Sequence, residues 1–375
     1  NDFLNQKAAV WLRKSFNVEK EIQQAILYSC GLGLHEPWVN GQKIGDEVLQ
    51  PAQTDYDRRS FYVANNITTE LKKGENTLGV WLGDGFYNQD RVWGPKGLSY
   101  GQPKLIAQLE ITFKDGSTKV ISTDNTWLAK PSAITASNVY AGENYNANLY
   151  SPLWASNTEN LSDWLPISIL KPAGGQLIAQ ELPPCRVTKT VSTKNIYQLP
   201  NGKYVFDFGQ NLVGWAKLKV NAAPNTLITI RFAEDKMSTG ELNFQTSGVN
   251  ATKVIQTDNY ICKGNGEEIW EPKFSNHGFR YAEVSISNGT LKNNTPTKDM
   301  LTGKVVHTDM PITGTFSSSN PTLNKAFDMA YWTQIGSVLG VPVDCPIRER
   351  CGWTGDAHLT VPYTLLMRLP CGTNM

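Results

Sequence analysis

The stretch 343–358 reads VDCPIRERCGWTGDAH and places Asp344, Arg348, Glu349, Arg350, Trp353 and Asp356 within thirteen positions. Carboxylates, guanidinium groups and an indole at this density suit cleavage of a glycosidic bond. That reaction needs a carboxylic acid to protonate the departing oxygen and a second carboxylate acting from the opposite face of the sugar ring. Glu349 is the candidate acid. Asp344 and Asp356 are candidates to accept hydrogen bonds from sugar hydroxyls, Arg348 offers a planar fork of donors, and Trp353 offers an apolar face for stacking. Two other readings stay open. In the first, the segment is a connecting loop whose Asp and Arg residues pair at the surface and whose Thr354 or Asp356 caps the next helix. In the second, Cys345 or Cys351 is a nucleophile assisted by His358, although no spacing fixes that geometry and buried structural cysteines are the commoner case. His35, His277 and His307 are scattered, read as structural residues, and no catalytic metal is expected.

The loop must be held by what surrounds it. Ser319-Asn320-Pro321 is a helix opening, a polar cap followed by proline, and Leu323, Phe327, Ala330, Tyr331 and Ile335 follow at helical spacing. Pro342 and Pro346 then disfavour a continuous helix, and a second helix is expected from about Thr354. Everything before Ser319 reads as β. From Ala25 to about Lys130, short apolar runs alternate with turn residues, and Asn40-Gly41 and Asp115-Gly116 are hairpin signals. A second set of strands, including KYVFDFG, GWAKLKV, TLITIRFAED and FRYAEVSI, runs from Arg186 to about Pro311. The stretch 151–184 has no clear period and holds the expected boundary between the two sets. The fold class is therefore mainly β, two antiparallel β-sandwich domains followed by helices, divided as 1–165, 166–312 and 313–375.

Composition excludes some partners. Lys plus Arg is 35 against 34 Asp plus Glu, a formal charge of +1 without a basic block, so nucleic acid is not an expected partner. No apolar run is long enough to cross a membrane as a helix. The six cysteines are spread without close pairs and indicate neither a zinc cage nor a dense disulfide framework. The compartment stays open, with periplasmic or extracellular placement ranked ahead of cytoplasmic. In GDGFYNQDRVW, Asp84, Asn88, Asp90 and Trp93 form a polar and aromatic cluster that suits a sugar, with oxygen ligands that suit calcium; ordinary Asx turns explain the same residues.

DCPIRERCGWTGD is similar to the signature of the α-L-rhamnosidase family, glycoside hydrolase family 78. Upstream, GLGLHEPWVNGQKIGDEVLQPAQTDYDRR and GENTLGVWLGDGFYN resemble that family's N-terminal sugar-associated, jelly-roll-like sandwich, while VFDFGQNLVGW, IRFAED and FSNHGFRYAEV resemble its concanavalin-like domain. The likeness runs from about Val10 to Thr364. It implies that the helix from Pro321 begins an (α/α)6 catalytic barrel that hydrolyses terminal α-L-rhamnose with inversion. It further implies that Glu349 is the general acid and that Asp344, Arg348, Trp353 and Asp356 line the rhamnose pocket. Glu143 and Tyr145, in VYAGENYNANLY, match a loop that approaches the active site in complete members and are implied secondary sugar contacts.

The family's general base lies on a much later part of the barrel, so a truncated barrel is expected, with only nineteen residues after Asp356, and this chain is expected to be inactive alone. The first barrel helix is then expected to fray, to be disordered or to self-associate through an uncovered apolar face. Two rivals remain: a lectin-like, sugar-binding β-sandwich protein without catalysis, and a scaffold that assembles with a separate chain.

Overall fold

A computed structural model describes residues 8–89, 98–245, 248–249, 254–293, 295–312 and 314–368. The fold is mainly β, with curled sheets and two α-helices among the described residues. The chain divides into two compact units: Asn1–Glu181 with Asn259–Lys263 and Lys273–Ser275, and Leu182–Asp258 with Gly264–Pro272 and Asn276–Met375.

Unit 1 follows from period-two burial. Its main strands are β1 (Val10–Val18), β2 (Ile22–Leu32), β3 (Leu34–Val39), β4 (Arg59–Asn66), β5 (Gly74–Gly83), β6 (Lys104–Phe113), β7 (Thr118–Ser122), β8 (Leu128–Pro131), β9 (Ile134–Asn138), β10 (Gly142–Asn146) and β11 (Gln176–Ala179). In β6 the alternate residues Ala107, Leu109, Ile111 and Phe113 are buried. One face therefore leaves water while the other stays polar. One sheet runs β8-β1-β5-β3 and the other β7-β6-β2-β4-β11, the last pair being parallel. Phe16, Val18, Leu78 and Val80 from the first sheet and Ala25, Leu27, Leu109 and Ile111 from the second share one apolar cluster with Trp127, so the sheets pack face to face. Asn40 and Gly41 adopt φ of 51° and 85°, the left-handed pair that a tight hairpin turn after β3 requires. The tryptophans are mainly core: Trp11 stacks on Trp154 with centroids 5.5 Å apart, and Trp38 and Trp81 meet Trp154 edge-on.

Unit 2 is organised on an antiparallel sheet of β12 (Cys185–Ser192), β13 (Tyr204–Asn221), β14 (Leu227–Ala233), β15 (His277–Ser287) and β16 (Leu301–Thr308), in the order β14-β15-β13-β16-β12. Phe206, Phe208, Phe232 and Phe279 are fully buried. Helix α1 (Pro321–Gly336) begins where the cap signal puts it, with the Asn320 side chain accepting from the Thr322 amide at 2.9 Å and proline in the first turn. The helix runs unbroken over Pro321–Gly336. Its final turn is buried, Phe327 stacks on Phe316 at 5.3 Å, and Lys189 lies 4.6 Å from the Tyr331 ring centre. Of the apolar residues at helical spacing, Leu323 is exposed, Phe327, Ala330 and Tyr331 are half-buried and Ile335 is buried; Met329, off that stripe, is exposed.

Candidate functional site

The candidate loop begins on a pedestal of backbone contacts. After α1 comes a two-strand turn, β17 (Val338–Leu339) and β18 (Val341–Pro342), reversed at Gly340, whose φ is 78°. The Gly340 amide donates to Thr308 Oγ1 at 2.8 Å, fastening the turn to the end of β16. The loop then closes on itself. The Asp344 amide donates to the Cys351 carbonyl at 3.0 Å, and the Cys351 amide donates to Asp344 Oδ1 at 3.0 Å. Part of Asp344's accepting capacity is thus used in shaping the loop, a role its spacing does not announce.

Within the closed loop, Ile347 and Arg350 turn inward. Ile347 is buried against Gly278 on β15, where an added Cβ would lie 2.5 Å from Ile347 Cγ2, so the seat is glycine-sized. Arg350 is buried and adopts φ 54°, a left-handed conformation that costs an L-residue with a Cβ about 1–2 kcal/mol. Two hydrogen bonds to Asn276 hold it there: Nη1 donates to Oδ1 at 3.1 Å and Nη2 to the carbonyl at 2.9 Å. The next residue, His277, is itself fixed, with Nε2 2.9 Å from Asp258 Oδ1 and its ring stacked 4.2 Å from Phe232.

With Ile347 and Arg350 anchored, Glu349 is held at the half-buried edge of the loop. Arg348 Nη2 lies 2.7 Å from its Oε1, and Trp353 Nε1 donates to its Oε2 at 2.6 Å. The loop therefore brings Glu349, Arg348 and Trp353 into direct contact and keeps Asp344 seven residues from Cys351 as its clasp. Among the described tryptophans, Trp353 alone is classed as exposed, at 52%. An indole that gains little from burial but is fixed by a carboxylate is available for stacking. Asp356 is exposed in the first turn of α2 (Thr354–Arg368), where its charge complements the helix N-terminus.

The thiol reading loses support. Burial raises the Cys351 thiol, and the charges of Asp344 and Glu349 raise it further, which disfavours the thiolate. His358 is exposed on α2.

The remaining candidates belong to unit 1. Glu143 is fully buried, and one carboxylate oxygen accepts the amides of Lys273 and Phe274 at 3.0 and 3.1 Å. Tyr145 is buried and stacks on Tyr260 at 5.6 Å. Asn88 donates to Asp84 Oδ1 at 2.7 Å and accepts from Ser99 Oγ at 2.8 Å, so these residues are stitched to one another. Asp90 and Trp93 lie outside the described residues. Among the described residues no three acidic, His or Cys side chains gather as a metal cluster. Asn276, Gly278 and Ile347, which position the loop, were not singled out by sequence. Nothing local could mark them, because their partners lie some seventy residues away.

β-rich segments precede two helices, and the loop between the helices carries the carboxylate, guanidinium and indole cluster. Three family models match in sequence order: the alpha-L-rhamnosidase N-terminal domain over residues 20–189, the bacterial alpha-L-rhamnosidase concanavalin-like domain over 197–307, and the six-hairpin glycosidase domain over 311–368. The chain belongs to the bacterial α-L-rhamnosidase family. An alpha-L-rhamnosidase of Formosa agariphila is 38% identical across 96% of this chain and 38% of its own length. One from Streptomyces avermitilis is 34% identical across 96% of this chain and 34% of its own. Among solved structures, the alpha-L-rhamnosidase of Dictyoglumus thermophilum superposes with a TM-score of 0.89 at 37% identity, covering 96% of this chain and 39% of that one. The Streptomyces avermitilis enzyme complexed with L-rhamnose gives 0.90 at 33%, covering 97% and 35%. The chain thus spans well under half the length of these relatives.

Proposed function

We propose that this chain carries the acid-bearing part of a glycosidase that hydrolyses terminal α-L-rhamnose with inversion. The observation that carries this reading is the Glu349 carboxylate held between Arg348 and the exposed Trp353, on a loop whose Arg350 and Ile347 are anchored to Asn276 and to Gly278 of β15. Glu349 is the general acid for the glycosidic oxygen. Trp353 stacks on the apolar face of the sugar, and Arg348, Asp344 and Asp356 bind its hydroxyls. Substrate entry must release Glu349 from at least one of its two donors before it can face the leaving oxygen. The water-activating base is not assigned to any residue here. In this reading 1–165 is the sugar-associated sandwich, 166–312 the concanavalin-like domain and 313–375 the opening of an (α/α)6 barrel, and the partner is a rhamnose-bearing glycoside.

The test uses two leaving groups. An activated nitrophenyl α-L-rhamnoside departs with little protonic help, whereas an alkyl α-L-rhamnoside needs an acid. In a preparation that also supplies the water-activating base, Glu349→Gln is expected to lower hydrolysis of the alkyl substrate by about 10²-fold to 10⁴-fold and that of the nitrophenyl substrate much less. Equal losses on both substrates would refute the acid role. L-Rhamnose binding without turnover of either substrate, even when the water-activating base is supplied, would favour the lectin-like rival.

A further inference from the structure

Unit 1 contains a cavity of about 540 Å³ that no step of the proposed hydrolysis uses. Its floor is formed where the two sheets meet: Leu82 on β5, Cys30 and Leu32 on β2, and Trp127 are all buried and all line it. Its other wall is the segment 167–177, which crosses in front of the sheets and leaves Ile169 and Leu170 67% and 52% exposed. Most of the lining is apolar, and its two charged side chains are Lys104 and Lys171. Lys104 Nζ donates to the Lys171 carbonyl at 3.2 Å, which keeps the two residues together, and among the described residues no Asp or Glu lines the cavity.

The volume lies within the roughly 300–1,000 Å³ of sites that enclose small organic molecules. An apolar floor holds water poorly and takes up apolar matter instead. Large apolar side chains left in solvent around an opening mark a surface that is covered in use. An apolar chamber bordered by two cations without a carboxylate is complementary to a molecule with an apolar body and one anionic end. We propose that this cavity binds a small amphipathic carboxylate, with its hydrocarbon body against Leu32, Leu82 and Trp127 and its carboxylate between Lys104 and Lys171.

Dodecanoate is the probe and dodecan-1-ol its neutral counterpart, both added below their aggregation limits to the whole protein. Calorimetric titration is expected to show one dodecanoate per chain, with dodecan-1-ol bound about tenfold more weakly or worse. Lys104→Glu with Lys171→Glu should weaken dodecanoate by at least that factor and leave dodecan-1-ol unchanged. Thr123→Trp, which fills the cavity from a partly exposed position, should abolish both. A second measurement needs no variant. Cys30 is buried at the cavity floor, where burial pushes its thiol up to about 12, so its alkylation is slow and depends on access. Saturating dodecanoate should slow modification of the Cys30 peptide by N-ethylmaleimide, read by mass spectrometry, at least fivefold. Failure to bind, binding undiminished in Thr123→Trp, an unprotected Cys30, or equal affinity for acid and alcohol each overturns the proposal.

Discussion

Arg350 should be the most stability-sensitive side chain of the candidate loop, although it touches no solvent and no expected substrate. Arg350→Met keeps most of the apolar stem and removes the guanidinium. Two hydrogen bonds from a charged donor are lost, and the buried Asn276 Oδ1 and carbonyl lose these donors. A hydrogen bond to a charged group contributes about 1.5–3 kcal/mol, and stranding a buried acceptor costs about 1–3 kcal/mol. These quantities overlap, so about 3–4 kcal/mol is expected rather than their sum. Arg348→Met is the control: its side chain is 59% exposed, and its ion pair with Glu349 should contribute no more than about 0.5–1 kcal/mol. Asn276→Ala removes the Oδ1 acceptor but leaves the backbone one, so it should cost about half as much as Arg350→Met. The double variant should then cost little more than Arg350→Met alone, a coupling of about 1–2 kcal/mol. Urea unfolding followed by tryptophan fluorescence measures all four. Acrylamide quenching of the exposed Trp353 should also change in Arg350→Met, because Trp353 is tied to Glu349, the neighbour of Arg350. If Arg350→Met falls within about 0.5 kcal/mol of the unaltered protein, or the two substitutions add, the anchor does not hold the loop.

Gly278→Ala should destabilise by about 1–3 kcal/mol, because its Cβ would meet Ile347 Cγ2 at 2.5 Å, and Ile347→Ala in the same chain should remove most of that penalty as read by urea midpoint. Trp353→Ala should change stability by less than about 0.5 kcal/mol, since the ring is already exposed, yet weaken L-rhamnose binding about tenfold in titration calorimetry. His35 makes stability depend on pH. Burial lowers its pKa from 6.5 to about 4, and its neutral ring is held by the Gly31 amide on Nδ1 and Ser29 on Nε2. Between those values the unfolded chain binds the proton and the folded one does not, so stability is full above about 6.5 and is lost as pH falls toward about 4. The span corresponds to about 3 kcal/mol, and His35→Gln should flatten the profile of urea midpoint against pH in that window.

What the sequence discloses is whatever is decided within a few residues. Asn320-Pro321 announces α1 because cap and proline act on the first turn alone, and Asn40-Gly41 announces a hairpin because two left-handed residues can do little else. Period two in Lys104–Phe113 predicts which side chains are buried. The stretch 151–184 shows the limit. It reads as aperiodic, yet Gln176–Ala179 adds to the second sheet of unit 1 as a parallel partner of residues 59–62. Four residues are too few to show a period, and a free sheet edge will accept almost any extended backbone.

The same limit explains why the chemistry-bearing residues could be named while their geometry could not. Glu349, Arg348 and Trp353 stand out because function-capable side chains crowd a short loop between proline and a helix. Their mutual contacts depend on Ile347 and Arg350 being pulled the other way, and that pull comes from Asn276 and Gly278 at the start of β15. A loop anchored only to its own helices would shift with them. This one is fastened to a strand whose neighbouring His277 is buried between Asp258 and Phe232. The carboxylate is thus set against the rigid part of unit 2, and substitutions on β15 should disturb Glu349 more than equally conservative substitutions on the exposed face of α1.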